Sequence, residues 1–367
     1  MTNRTVLNAA HRAAGAKMVD FHGWDMPLNY GSQVEEHHAV RRGAGFFDVS
    51  HMTVVDFADD DGGASTEAWL RRLLANDVAR LEGPGRAQYT AMLDESGGVI
   101  DDLIAYRRDG SWRLVVNSAT READLAWMNQ HRPAAVRLTV RDDVAMLAVQ
   151  GPAALQRAAP WLGEVAQAVS DTPAFTFVED GARMIARTGY TGEDGFEAII
   201  PAEDAEAAFA AFVDAGIQPA GLAARDTLRL EAGMNLYGQD MDRSTTPLES
   251  NMGWVVAMKP EDRDFIGRAA LEAQKAGGVP RRLVGVVLEG RGVLRGEQIL
   301  FDGDVAIGTL TSGAFSPTIG CGIGLARVDA DAAPGKTPRP AEVEIRGKRQ
   351  PVRLLKPPFV RGGEPRI

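Results

Sequence analysis

Apolar residues in this chain fall in short runs whose spacing changes along its length, and the spacing predicts a mixture of helices and strands. Trp69, Leu70, Leu73 and Leu74 recur at i, i+1, i+4 and i+5, a helical stripe that ends by Asn76-Asp77. Ser32-Gln33-Val34-Glu35 is a capping box opening a helix that runs toward Gly43 and Gly45, which leaves residues 20–31 as a loop. Strands are expected at Tyr106 and at Leu114-Val115-Val116-Asn117, after which Ser118 caps a helix through Trp127-Met128. Residues 201–216 read as an amphipathic helix with proline at its start and glycine at its end. From Arg281 onward, short apolar runs broken by glycine, such as Leu283-Val284-Gly285-Val286-Val287-Leu288, predict an all-β domain, a small barrel or roll. Residues 274–280, with Lys275-Ala276-Gly277-Gly278, have the composition of a linker.

The most telling segment is Gly97-Gly98-Val99-Ile100-Asp101-Asp102-Leu103-Ile104. Two carboxylates open an apolar strand, where acidic side chains are unfavourable, so a role outside the backbone is indicated for one of them. Neighbours on a strand point to opposite faces, so Asp101 and Asp102 cannot share one pocket. One is a site candidate and the other a turn or surface group; the alternative is that both simply close a turn.

Length and composition narrow the class. At 367 residues, 45% hydrophobic and 25% charged, the chain is globular in composition and long enough for two or three domains. No apolar run approaches the length of a bilayer span, and the N-terminal residues carry no secretory pattern. The lone cysteine, Cys321, excludes an internal disulfide and reads as a small core thiol. With an initiator methionine leading directly into the pattern, a bacterial cytoplasm is the expected location. The net charge of −10 argues against nucleic-acid binding. Residues 281–367 nevertheless hold 14 Lys and Arg against 9 Asp and Glu, a net of +5 on an acidic body. That segment is either a docking surface for an anionic partner or a solvated β surface.

Weak motifs are soon exhausted. His37-His38 with His51 lacks metal-site spacing, and Gly320, Gly322 and Gly324 miss the dinucleotide fingerprint because Leu325 stands where the third glycine belongs. A stronger signal is Arg187-Thr188-Gly189-Tyr190-Thr191-Gly192-Glu193, a tight polar turn. Phe196 and Glu197 then begin a strand on opposite faces, so Glu197 faces a cavity or solvent if Phe196 faces the core. Arg225-Asp226 sits in a loop-like Gly-Leu-Ala-Ala-Arg-Asp stretch before a helix, where an ion pair with the helix end is the plain alternative to a site role.

Taken together, Met18-Val19-Asp20-Phe21-His22-Gly23-Trp24, Gly45-Phe46-Phe47-Asp48-Val49-Ser50-His51-Met52, the Gly97–Ile104 segment, Arg187 through Glu197, Gly221 through Glu231, and Thr311 through Thr318 resemble the T-protein family of the glycine cleavage system, the aminomethyltransferases. The blocks keep the family's order over essentially the whole chain. The resemblance implies an α+β fold of three domains in a cloverleaf around a central channel. These are a discontinuous folate-binding α+β domain from residues 1–50 plus 145–275, an α+β domain from 51–144, and a C-terminal β-barrel from 281–367.

It also implies transfer of an aminomethyl group from the lipoyl arm of an H-protein to tetrahydrofolate, with association with the decarboxylating P-protein and the dihydrolipoyl dehydrogenase L-protein. No metal, membrane or nucleic acid is implied. By resemblance, Asp102 is the catalytic carboxylate beside N10 of folate, preferred over Asp101 because relatives outside the T-proteins keep an acid at the second position. Glu197 pairs with the aminopyrimidine edge of the pterin. Tyr89 and Tyr190 offer flat rings, Arg225 lies beside the channel, and Asn117 and Met52 face the folate. Competing readings are a carrier-independent folate demethylase of sarcosine, dimethylglycine or a sulfonium compound, and a folate-binding iron–sulfur maturation factor, whose Lys-Gly-Cys-Tyr segment is absent around Cys321.

Overall fold

The computed structural model describes residues 2–367, and the chain divides into two compact units. The first holds residues up to Trp69, Val78–Tyr89 and Leu103–Leu228; the second holds Leu70–Asp77, Thr90–Asp102 and Arg229–Ile367.

In the first unit a six-stranded sheet runs in the order Phe177–Asp180, Arg183–Ala186, Gly195–Pro201, Val144–Gln150, Gly45–Asp48, Gln218–Pro219, antiparallel except for the last pair. Strand alternation sorts its two faces. Phe196, Ala198 and Ile200 join Phe46, Leu147 and Val149 in one core, completed by Ala205, Ala208, Phe209 and Phe212 of the helix Ala205–Asp214. Their i, i+3, i+4, i+7 spacing is one helical face, and each large side chain so buried contributes about 1.5–3 kcal/mol. The opposite sheet face presents Ala148, Ala186 and Ile199 to a second core with Phe47, Val54, Tyr106, Ala224 and Leu228. The strands Thr53–Ala58, Ser111–Val116 and Arg137–Val140 belong to a separate five-stranded sheet with Val99–Arg108 and Arg86–Leu93.

The second unit contains the expected C-terminal barrel. Six antiparallel strands, Arg281–Leu288, Gly322–Asp329, Val305–Phe315, Ile299–Asp302, Arg339–Ile345 and Lys348–Leu355, follow one another around it and close from last to first. Closure leaves no free sheet edge. Among the described residues, no helix is long and apolar enough to cross a membrane.

Four local expectations need correction. Residues 20–31 are not a loop: Lys17–Phe21 and Trp24–Asn29 form an antiparallel hairpin. Its two-residue turn, His22-Gly23, has φ of 50° and 82°, the doubly positive geometry that matches strand twist. The helix after Ser118 starts at Arg121 with Thr120 at its cap, and the Thr120 hydroxyl donates back to the Asn117 carbonyl at 3.2 Å. The helix Arg268–Gly277 absorbs most of the supposed linker, because Ala, Gln and Lys propagate a helix until Gly278 turns it at φ 89°. Finally, Arg225 lies inside the helix Leu222–Glu231, not in a loop before it. The preceding Gly221 is needed there: a Cβ would sit 2.3 Å from the Leu28 carbonyl oxygen, and the Gly221 N–H donates to buried Glu36 at 2.9 Å.

Candidate active site

The polar turn between Arg187 and Gly195 is locked from beneath. Arg187 donates to the carbonyls of Gly195, Val169 and Thr172 at 2.9–3.0 Å. Gln150, fully buried, donates to the Thr188 carbonyl at 3.2 Å and accepts from the Thr191 hydroxyl at 2.9 Å. Arg41 donates to the Thr191 carbonyl at 2.6 Å and pairs with Glu193 at 2.7 Å. Only glycine fits at 189, since a Cβ would lie 2.1 Å from the Gln150 Oε1. So many fixed partners leave Thr188 and Tyr190 with little freedom of position.

Thr188 donates to Glu197 Oε2 at 2.6 Å. Glu197 is 5% exposed, on the sheet face opposite Phe196, so the alternation expected from sequence holds and the carboxylate is inside the protein. Burial pushes its carboxyl above the usual range, while the Thr188 bond and the Arg225 charge pull it back. A carboxylate offers about four acceptor positions, so the Thr188 bond leaves capacity for a pair of N–H donors.

Arg225 spreads its guanidinium over the Tyr190 ring at 4.7 Å and faces Phe47 at 5.8 Å. Its Nη1 is buried and has no hydrogen-bond partner among the described residues. Burial lowers its proton affinity, against the charges of Glu197 and Tyr190 that raise it. Glu197, Tyr190 and Arg225, separated in sequence, thus form one cluster.

Sequence reasoning missed Thr188 and His51. His51 is 7% exposed, has a buried Nδ1 without a partner among the described residues, and has its edge against Phe21 with ring centroids 5.6 Å apart. Burial brings its pKa down to about 4; Arg225 and His22 lower it and Asp48 raises it. Asp48 anchors the loop that carries His51. It accepts from Thr5 at 2.6 Å, from His11 at 2.8 Å and from the Ser50 N–H at 2.9 Å, and His11 in turn meets the Tyr30 hydroxyl at 2.8 Å. Burial alone would raise the Asp48 carboxyl, yet these donors hold it below the ordinary value. No single spacing in the sequence marks this constellation, because its members lie on three separate segments.

The remaining candidates are placed as follows. Met52, next to His51, is half-buried and packs on the second core of the first unit. Tyr89 is half-buried in the strand Arg86–Leu93, and Asn117 is half-buried just after Ser111–Val116. Asp101 and Asp102 are in the second unit, as the third and fourth residues of the strand Val99–Arg108. Asp101 is fully buried and Asp102 half-buried, so Asp101 is neither a turn nor a surface group. Gly98 is dictated by space, since a Cβ would lie 2.1 Å from the Arg243 carbonyl oxygen.

The Thr311–Thr318 block holds the end of the helix Leu222–Glu231. Thr311 is the extra residue of a bulge between Leu310 and Ser312, and its hydroxyl reaches Asp240 at 2.5 Å. Asp240 pairs with buried Arg229 at 2.7 Å, while Ser316 and Thr318 donate to Glu231.

Residues 7–260 match the family model described as the GCVT N-terminal domain, and residues 281–361 match the glycine cleavage T-protein C-terminal barrel domain. An aminomethyltransferase of Alcanivorax borkumensis is 57% identical over 99% of this chain and 98% of its own. One of Pseudomonas syringae pv. tomato is 55% identical over 99% of both chains. The crystal structure of glycine cleavage system aminomethyltransferase T from Bartonella henselae superposes with a TM-score of 0.89, at 32% identity, over 98% of each chain. By both of its domains and along nearly its full length, the chain belongs to the glycine cleavage T-protein family.

Proposed function

We propose that the protein moves an aminomethyl group from the lipoyl arm of an H-protein to tetrahydrofolate. The carbon leaves its sulfur, which becomes a thiol of the reduced arm, and leaves its amine as ammonia; it ends bonded to N5 and N10 of 5,10-methylenetetrahydrofolate. The observation that carries this reading is the match to aminomethyltransferases at 55–57% identity over 99% of the chain. Neither the demethylase nor the maturation-factor reading is favoured by those relatives.

The cluster in the first unit suits the recognition half of this task. Glu197, ionised with help from Thr188 and Arg225, accepts the two N–H groups of the aminopyrimidine edge, a pairing that strengthens when donors replace water in a buried site. Tyr190, with Arg225 behind it, and Tyr89 offer flat surfaces to a flat ring. Met52 and Asn117 complete the folate-facing set. Asp102 stands beside N10 and takes its proton or hydrogen bond as carbon bonds there, a role worth about 10²- to 10⁴-fold. Holding two reactants in register supplies the rest. The division into residues 1–50 plus 145–275, 51–144 and 281–367 is supported by sheet membership, since each segment contributes the strands of its own sheet or barrel apart from the short hairpins.

The experiment is Asp102→Asn against Asp101→Asn. Turnover of the first should fall at least about 10²-fold with tetrahydrofolate affinity kept within about tenfold. Asp101→Asn, altering a fully buried carboxyl, should lower stability while folded enzyme keeps its turnover. The reverse pattern assigns the chemistry to Asp101.

A further inference from the structure

One helix of the first unit reaches both halves of the Tyr190–Arg225 stack. Gln33–Arg42 buries Glu36, His37, Val40 and Arg41, the i, i+1, i+4, i+5 face of a helix. Three of these side chains grip the helix Leu222–Glu231, which carries Arg225. Glu36 accepts from the Gly221 N–H at 2.9 Å just ahead of the first turn, the His37 ring meets the Thr227 hydroxyl at 2.8 Å, and Arg41 Nη2 donates to the Leu228 carbonyl at 3.2 Å. Leu228 is among the last four residues of its helix, whose carbonyls have no partner within the helix, so a cationic donor suits it. The other nitrogen of the same guanidinium, Nη1, donates to the Thr191 carbonyl at 2.6 Å and to Glu193 at 2.7 Å, on the turn that carries Tyr190. The Arg41 and Glu193 side chains are 3% and 5% exposed, so their charges are enclosed together.

We infer that Arg41 is a positioning residue: its planar fork spans the gap between the Tyr190 turn and the Arg225 helix and fixes the Arg225 guanidinium 4.7 Å over the Tyr190 ring. Each anchor is close to the side chain it places. Thr191 follows Tyr190 directly, and Leu228 lies about one helical turn beyond Arg225. Charge explains only part of the choice of arginine. Glu193 needs a cation, which lysine would supply, but an ammonium has no rigid plane with two separately aimed nitrogens. Nη1 and Nη2 keep a constant separation, so a shift of either segment breaks a bond to the other. A stack set in advance does not have to be ordered when a flat ligand arrives, which lowers the cost of binding. That consequence rests on the folate reading proposed above; the spacing of Tyr190 and Arg225 does not.

A double-mutant cycle of Tyr190→Leu and Arg225→Met, read by urea unfolding, measures the stack without any ligand. In the otherwise native chain the pair should be coupled by about 5- to 30-fold in the folding equilibrium, the range for an enclosed cation over an aromatic ring. With Arg41→Lys in all four proteins the coupling should fall below about twofold. Arg41→Lys alone should weaken tetrahydrofolate binding about 5- to 10-fold by anaerobic calorimetry, and less than about twofold once Tyr190 is leucine. The loss should appear in KM for tetrahydrofolate rather than in kcat, whereas a merely less stable enzyme loses kcat through its unfolded fraction. If the lysine variant does not fold, Arg41→Gln with Glu193→Gln removes the ion pair without stranding a charge and should give the same loss of coupling. Undiminished coupling in the Arg41 variants would overturn the positioning role and leave Arg41 as a structural ion pair. Lost coupling with folate affinity unchanged, or a fall in kcat alone, would overturn its service to the site. A native protein that binds no tetrahydrofolate would overturn the folate reading while the urea cycle still decides the positioning.

Discussion

Replacing Thr188 with valine removes one hydroxyl at nearly constant volume and deprives Glu197 Oε2 of its 2.6 Å donor. A hydrogen bond to a charged acceptor in a buried site contributes about 1.5–3 kcal/mol, so the variant should unfold about 2 kcal/mol more easily at pH 8. The cost should depend on pH in a defined direction. Burial already raises the Glu197 carboxyl, so above the unfolded value the folded state binds the extra proton and stability declines as pH rises. Loss of Thr188 raises the carboxyl further. Toward the ordinary carboxyl value the folded variant takes up that proton more readily than the parent, so the destabilisation should be smaller at pH 5 than at pH 8. Urea unfolding followed by tryptophan fluorescence gives both values, with Trp161, stacked 6.2 Å from Phe196, among the reporters. An equal cost at both pH values, or none at either, refutes the view that Thr188 stabilises an ionised, buried Glu197.

Other outcomes follow from the same geometry. Gly189→Ala should destabilise the protein by about 1–3 kcal/mol in the same assay, because the new Cβ meets the fully bonded Gln150 side chain rather than a mobile tip. His51, neutral in the folded protein down to a pKa of about 4, should lower stability as pH falls from about 6.5 to 4, by roughly 2–3 kcal/mol in total. The unfolded state binds the proton first in that window, and His51→Asn should flatten the slope seen by urea titration. Charge reversal at Arg291, Arg295, Lys356 and Arg361, all exposed, should weaken binding of the lipoylated H-protein and reduce its salt sensitivity while sparing folate binding. Unchanged carrier affinity at low salt in all four variants would make the basic segment ordinary solvated surface.

Much of the fold is legible along the chain, for reasons that can be named. The barrel announces itself because closed antiparallel sheets need frequent turns, which appear as glycine-broken apolar runs from Arg281 onward. Glu197 is legible because the period of two puts it opposite Phe196, whose core neighbours are apolar. The 17–29 hairpin is not, since His22-Gly23 lacks the usual turn signature and Pro27 lies within its second strand. Burial of Asp101 is equally hidden: nothing in Val-Ile-Asp-Asp-Leu says which carboxyl the fold will enclose. His51 and Arg225 stand out only in the folded chain, where a ring nitrogen of one and a guanidinium nitrogen of the other are buried without a partner among the described residues.

The central claim is tested most directly by supplying purified protein with tetrahydrofolate and aminomethyl-loaded, lipoylated H-protein, then measuring 5,10-methylenetetrahydrofolate and ammonia. Both products should form in equal amounts, and omission of either substrate should abolish them. Efficient one-carbon transfer from free sarcosine or dimethylglycine without the carrier, or no transfer from the loaded carrier, would contradict the account.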